Sequence, residues 1–199
     1  MLQSTLELLR DRLDAALQAA DPRSEEWVVL TSPVDIDGHG VERARNKIVM
    51  ALVGLHLDVG MSPPNPGAGD QLASTTPPNL KALVLFVANF GDSNYPTGLG
   101  ILSRTIEFFQ QNPVFTHHRQ RRIVGETARI TTHFVNLDLK QTSDLMRMLG
   151  MNYLPCALYE VRMLPGAENI AAGEIAAGRH QAGRVRRLTR VGRGEPSAP

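Results

Sequence analysis

The stretch Ala44-Arg45-Asn46-Lys47-Ile48-Val49-Met50-Ala51-Leu52-Val53-Gly54 decides the fold class. From Lys47 it reads as a strand that runs to about residue 59. Side chains alternate faces along a strand, so Val49, Ala51, Val53, Leu55, Leu57 and Val59 are expected on one face. The other face changes from Ile48, Met50 and Leu52 to Gly54, His56 and Asp58. One end is therefore expected to be buried on both sides and the other to meet solvent.

Upstream lies a helix. Leu2, Leu6, Leu9, Leu13 and Leu17 recur at steps of three or four and form one apolar stripe. Ser4-Thr5-Leu6-Glu7 has the spacing of a capping box, with a start at or before it. Asp21-Pro22 ends the helix, because proline disfavours helical backbone at the residue before it. Trp27-Val28-Val29-Leu30-Thr31 reads as a short strand closed by Ser32-Pro33.

Downstream, residues 60–79 form a loop carrying Pro63, Pro64, Pro66, Pro77 and Pro78, either functional or a tolerated insertion. Residues 80–89 are the most apolar segment and read as a central strand. A turn over 91–96 leads to a helix over about 98–111. Leu102, Ile106 and Phe109 share a stripe there, and Ile101 and Phe108 lie on its neighbour. An apolar arc that wide implies deep burial, or burial against a partner. Residues 117–126 read as an exposed basic loop, 129–139 as an antiparallel strand, 140–149 as a short helix and 156–164 as the last strand. From about 167, glycine, alanine and arginine without aromatic residues predict a poorly ordered tail. The pattern is α+β: a single mixed, largely antiparallel sheet with helices packed on it over residues 1–165.

A chain of 199 residues can bury a substantial core, and its net charge of +1 shows no overall bias toward polyanions. Cys156 is the single cysteine, so no intramolecular disulfide is possible. Neither a signal peptide nor an apolar stretch of bilayer length is visible, and a soluble protein made in the cytoplasm is expected.

Chemistry-bearing motifs are sparse. Asp35-Ile36-Asp37-Gly38-His39 spaces three possible cation ligands, but it lacks the downstream glutamate of a calcium loop and reads as an Asx-rich turn. His117 and His118 point to different sides in a strand or helix and so are not expected to chelate one ion, and His56 and His133 read as hydrogen-bonded strand residues. Gly98-Leu99-Gly100 imitates a dinucleotide fingerprint without its third glycine, and is expected to ease the turn into the helix. Cys156 reads as a buried, inert thiol. The arginines between 184 and 193 lack interleaved aromatic residues for base stacking, so a solvated or protein-docking tail is expected rather than nucleic-acid binding. No catalytic residue, cofactor or metal is expected, and no membrane partner.

Four landmarks, in order, resemble a known family. They are Asn46-Lys47-Ile48-Val49-Met50-Ala51-Leu52-Val53; Pro77-Pro78-Asn79-Leu80 leading to Ala88-Asn89-Phe90; Tyr95, Leu99 and Leu102 ending in Pro113-Val114-Phe115; and Tyr153-Leu154-Pro155-Cys156-Ala157-Leu158-Tyr159-Glu160-Val161-Arg162. Together they resemble the N-terminal-domain family of the cap protein of extracellular contractile injection systems, the phage-tail-like particles of antifeeding-prophage and virulence-cassette type. Cys156 stands where that family has serine, and Gly54-Leu55-His56-Leu57 where it has acidic residues.

The resemblance implies a fold like that of phage tail terminators and a ring of six copies. Such a ring would end polymerisation of the sheath and inner tube and set particle length, without enzymatic activity. Its partners would be further copies of itself and the sheath and inner-tube proteins of a particle that can be extracellular after release. Tyr95, Phe108, Phe115, Arg119, Arg121 and Arg122 are the expected contact residues, with Arg162 a candidate for a structural ion pair. A baseplate or cargo-loading adaptor of the same particle is the alternative.

Overall fold

In a computed structural model, the described residues are 2–57, 80–119 and 126–165. The proline-rich loop 60–79, Arg121 and Arg122 of the basic stretch, and the tail from 166 lie outside them. The elements are α1 (Leu2–Ala20), β1 (Val28–Leu30), β2 (Lys47–Leu57), β3 (Leu80–Asn89), α2 (Tyr95–Gln111), β4 (Val114–Arg119), β5 (Glu126–Val135), α3 (Leu139–Met148) and β6 (Cys156–Pro165).

The strands form one mixed six-stranded sheet in the order β1-β2-β3-β6-β5-β4. Among the described strands, only β1 and β2 run parallel; every other pair is antiparallel. The α+β expectation therefore holds. β3 and β6 occupy the centre, which accounts for the near-continuous apolar run of β3: Ala82, Val84, Phe86 and Ala88 serve one face, and Leu83, Leu85 and Val87 the other.

Helices α1 and α2 cover the first face. Leu6, Leu9, Leu13 and Leu17 are all buried there with Val28, Ile48 and Met50, as the leucine stripe predicted. Each buried leucine stabilises the fold by roughly 1.5–3 kcal/mol. Asp14 fastens α1 to the sheet: its Oδ1 accepts backbone N–H groups from Trp27 at 2.6 Å and Val28 at 3.0 Å. The second face buries Val49, Leu85, Val87 and Leu158 beneath Leu145 and Leu149 of the α3 region and Met151 and Leu154 beyond it.

Several boundaries differ from expectation. α1 begins by Leu2, so Ser4 lies within the first turn and does not cap it. The capping box occurs instead at α3, where Asp138 Oδ1 accepts the Gln141 N–H at 2.7 Å and Gln141 Oε1 accepts the Asp138 N–H at 3.0 Å. α2 starts at Tyr95 with Pro96 in its first turn, where the missing proline N–H has no helical partner to lose. Gly98 thus lies inside the helix, not in the turn before it. Residues 117–119 belong to strand β4, not to a basic loop, and β5 reaches back to Glu126.

The largest correction concerns β2. Its pairing with β3 shifts between Leu52, opposite Val84, and Gly54, opposite Leu83, so Val53 is an extra, bulged residue. One inserted residue reverses the alternation downstream. Val49 and Ala51 face α3, whereas Leu55, opposite Ala82, and Leu57, opposite Leu80, swing to the α1–α2 side. The single face expected to run from Val49 to Val59 is therefore broken at Val53, and Val59 itself lies outside the described residues.

Candidate assembly surfaces

The four landmark segments meet at one end of the sheet. Asn46 holds a positive φ of 55°, turning the chain into β2, and its N–H donates to the Asn89 carbonyl at 2.8 Å. Asn89 Nδ2 donates to the Ala44 carbonyl at 2.9 Å. Arg23 Nη1 donates to the Asn46 carbonyl at 3.1 Å while its guanidinium lies 3.8 Å from the centre of the Trp27 ring. From the third landmark, Gly98 packs flat against Phe90. From the fourth, the Pro155 carbonyl accepts the Ala88 N–H at 2.9 Å. Much of what makes the landmarks recognisable is thus the joinery of the fold. Tyr95 and Tyr153 belong to these segments and are exposed, at 43% and 69%.

A second cluster is aromatic. Phe86, Phe108, Phe109, Phe115, Phe134 and Tyr159 stack with ring centroids 4.9–6.1 Å apart. Of the predicted contact residues, Phe108 and Phe115 come together here, at 6.0 Å, and both are half-buried in this chain's own core. Tyr95 sits at the other end of α2, about 20 Å away by helical rise. Arg119 ends β4 opposite Glu126, one step beyond the pairing of His118 with Thr127 and past the last pairing of β5 with β6 at Ala128. β4 and β5 therefore stay paired past the described end of β6.

Tyr159 is 2% exposed, and its hydroxyl has no hydrogen-bond partner among the described residues. Burial pushes its pKa up to about 12. Cys156 is half-buried against the α3-side core, short of the full burial expected, and the burial it has raises its pKa. At the Asx-rich turn, Asp35 Oδ1 accepts backbone N–H groups from Asp37 at 3.0 Å and His39 at 2.8 Å, so that carboxylate has a structural role.

Two further surfaces were not legible in the sequence. The first is the outer edge of β2. β1 pairs with β2 only opposite Ile48, Val49 and Met50, and no described strand covers that edge beyond them. Leu52, Leu55 and Leu57 are exposed there on the α1–α2 side. Leu52 also lines an open hollow of about 290 Å³, with Leu30, Thr31, Pro33, Met50 and Leu149.

The second is a charged group on the α3 side. Glu160 Oε2 lies 3.0 Å from Lys81 Nζ, and Glu160 Oε1 lies 2.6 Å from Arg162 Nε. Arg162 thus makes the ion pair proposed for it. Burial alone would raise the Glu160 pKa, but hydrogen bonds and charge from Arg162 and Lys81 outweigh it and hold the carboxyl below its ordinary value. Glu160 and Arg162 share a face of β6 two residues apart, and strand pairing brings Lys81 of β3 beside them. The one sequence signal was polar residues interrupting apolar strands.

A comparison with curated proteins found no match. The sequence does match the family described as the Pvc16 N-terminal domain, over residues 4–173. That span holds every described element except the first two residues of α1. The chain belongs to the Pvc16 N-terminal domain family, proteins of phage-tail-like particles.

Proposed function

We propose that this protein is the cap, or tail terminator, of a contractile injection system. It assembles into a ring, with six copies expected, on the end of the sheath and inner tube and stops both from growing. The observation that carries this reading is family membership across nearly the whole folded region. The fold is suited to it in physical terms: a sheet braced by helices on both faces gives a rigid plate. A plate of this kind holds its contact surfaces in fixed relation, as closure of a ring demands. The work is done by binding, with no bond made or broken and no cofactor.

The contact residues proposed are Tyr95, Phe108, Phe115, Arg119, Arg121 and Arg122, toward neighbouring copies and toward sheath and tube proteins. Electron microscopy of particles from cells lacking the gene tests the reading. Long, ragged or uncapped tubes are expected. Particles of normal, uniform length would overturn it and favour a baseplate or loading adaptor. In that case the purified protein should be a monomer or dimer and not a ring.

A further inference from the structure

Leu57, Leu80 and Met163 stand in one row across β2, β3 and β6, on the α1–α2 side of the sheet. Cover falls away along that row. Met163 is 1% exposed, Leu80 is half-buried and Leu57 is 65% exposed. Leu55 and Leu52 follow along β2, also exposed, and among the described residues no strand pairs with the outer edge of β2 beyond Met50. Proteins ordinarily cover such an edge or blunt it with charge or proline, because an apolar open edge invites other strands.

β6 ends at this same corner of the sheet. Pro165, its last residue, pairs with Ala128 two positions past the row of Leu57 and Met163. Neighbouring strands lie about 4.8 Å apart, which puts β2 about 10 Å from β6. Residue 170 lies five positions beyond Pro165, and five extended residues span about 17 Å. The chain that leaves β6 is therefore long enough to reach Leu57 within a few residues.

Residues 166–199 divide by composition. The arginines begin at Arg179. Before them lie Ile170-Ala171-Ala172-Gly173 and Ile175-Ala176-Ala177-Gly178, in a stretch with no Lys or Arg. The family match runs past the end of β6 to residue 173, and Ile170 is the one large apolar residue in that extension. The part that belongs with the domain is thus the part able to cover leucines, and not the arginine-rich part.

We propose that residues 166–178 fold back over this corner and lay Ile170 and Ile175 on Leu57, Leu55 and Leu80. The exposed edge of β2 is then covered by its own chain and closed to other strands. The inference does not depend on the terminator reading.

The test is digestion of the full chain with a glutamate-specific protease, read by mass spectrometry. Cleavage after Glu168 and Glu174 is compared with cleavage at a reference site introduced by Gln181→Glu, beyond the docked stretch. Cutting of such a segment tracks the fraction of time it is undocked. Glu168 and Glu174 should be cut about tenfold more slowly than the reference, the effect of burying one isoleucine side chain. Leu57→Asp and Ile170→Asp should each shrink that difference to about twofold or less, with the reference rate unchanged. Leu57→Asp changes no residue near a cut site, so an altered protease preference cannot imitate its effect. Ile170→Asp lies outside the sheet and carries the test should Leu57→Asp unfold, which a urea melt shows.

Equal cleavage at all three sites in the parent overturns the proposal, and so does slow cleavage that persists in both variants. A difference that appears only as protein concentration rises would place a second copy on the edge and overturn it too. None of these outcomes involves particle length, so failure here and failure of the terminator reading are separate results.

Discussion

Gly98 of α2 lies directly on the ring of Phe90: a Cβ at Gly98 would come within 2.8 Å of Phe90 Cγ and Cδ2. The ring is 7% exposed, and it follows β3 immediately, so it cannot easily move aside. Gly98→Ala should therefore destabilise, although alanine is the better helix former. Overpacking costs about 1–3 kcal/mol and helix propensity returns about 1 kcal/mol, so a net loss of up to about 2 kcal/mol is expected in urea unfolding. In a Phe90→Ala background the same change should lose its penalty. An equal loss in both backgrounds would show that the contact is not the cause.

Asn46 is the only described non-glycine residue with positive φ. Asn46→Gly should be close to neutral, since glycine adopts that backbone freely. Asn46→Val should cost about 1–2 kcal/mol, because a β-branched residue is strained there. Thermal melts of the two variants decide the matter. Equal stabilities would mean that the side chain, and not the backbone angle, sets the choice of residue.

Tyr159→Phe removes a buried hydroxyl that has no partner among the described residues. The ring contacts with Phe86, Phe109 and Phe134 remain available. A gain of about 1 kcal/mol is expected, since an unsatisfied buried polar group is destabilising. Measured loss of stability would show that the hydroxyl is hydrogen-bonded in solution.

Glu160 links stability to pH. Its folded pKa is below the unfolded value, so its contribution is fully present above the unfolded pKa of about 4.3 and disappears as pH falls through the folded value. Glu160→Gln should be less stable than the parent at neutral pH, and the gap should close on acidification below about pH 4. A gap independent of pH would attribute the loss to packing rather than to the ion triad with Lys81 and Arg162.

How much of this could be read from the chain differs by feature. The leucine stripe of α1 has a strict three-to-four period and a single buried face, so periodicity was enough. The strands β3 and β6 were legible from their apolar runs, although Lys81, Glu160 and Arg162 interrupt them on the α3 side. β4 was missed because His117, His118 and Arg119 resemble a solvated loop, whereas their backbone is held by pairing with Glu126, Thr127 and Ala128. Half of the expected contact set, Phe108, Phe115 and Tyr95, falls within described side chains; the first two also serve the core, and only Tyr95 stands well exposed.

The bulge at Val53 separates what each level determines. Sequence alone determined that residues 47–57 form a strand, because β-branched and apolar side chains favour a pleated, half-buried surface. It did not determine which face Leu55 and Leu57 occupy. Leucines fall on both parities after Met50, so alternation allows either answer, and the isolated Gly54 was the only local sign of an irregularity. Register with β3 chose between them, since that pairing exists only once the chain has folded back across residues 58–79. The Lys81–Glu160–Arg162 group has the same origin. Glu160 and Arg162 are two residues apart on β6, but Lys81, some eighty residues earlier, becomes their neighbour only through the antiparallel pairing of β3 with β6. Periodicity is a property of one segment, whereas these surfaces are properties of pairs of segments, and pairing was settled by burial of the whole core.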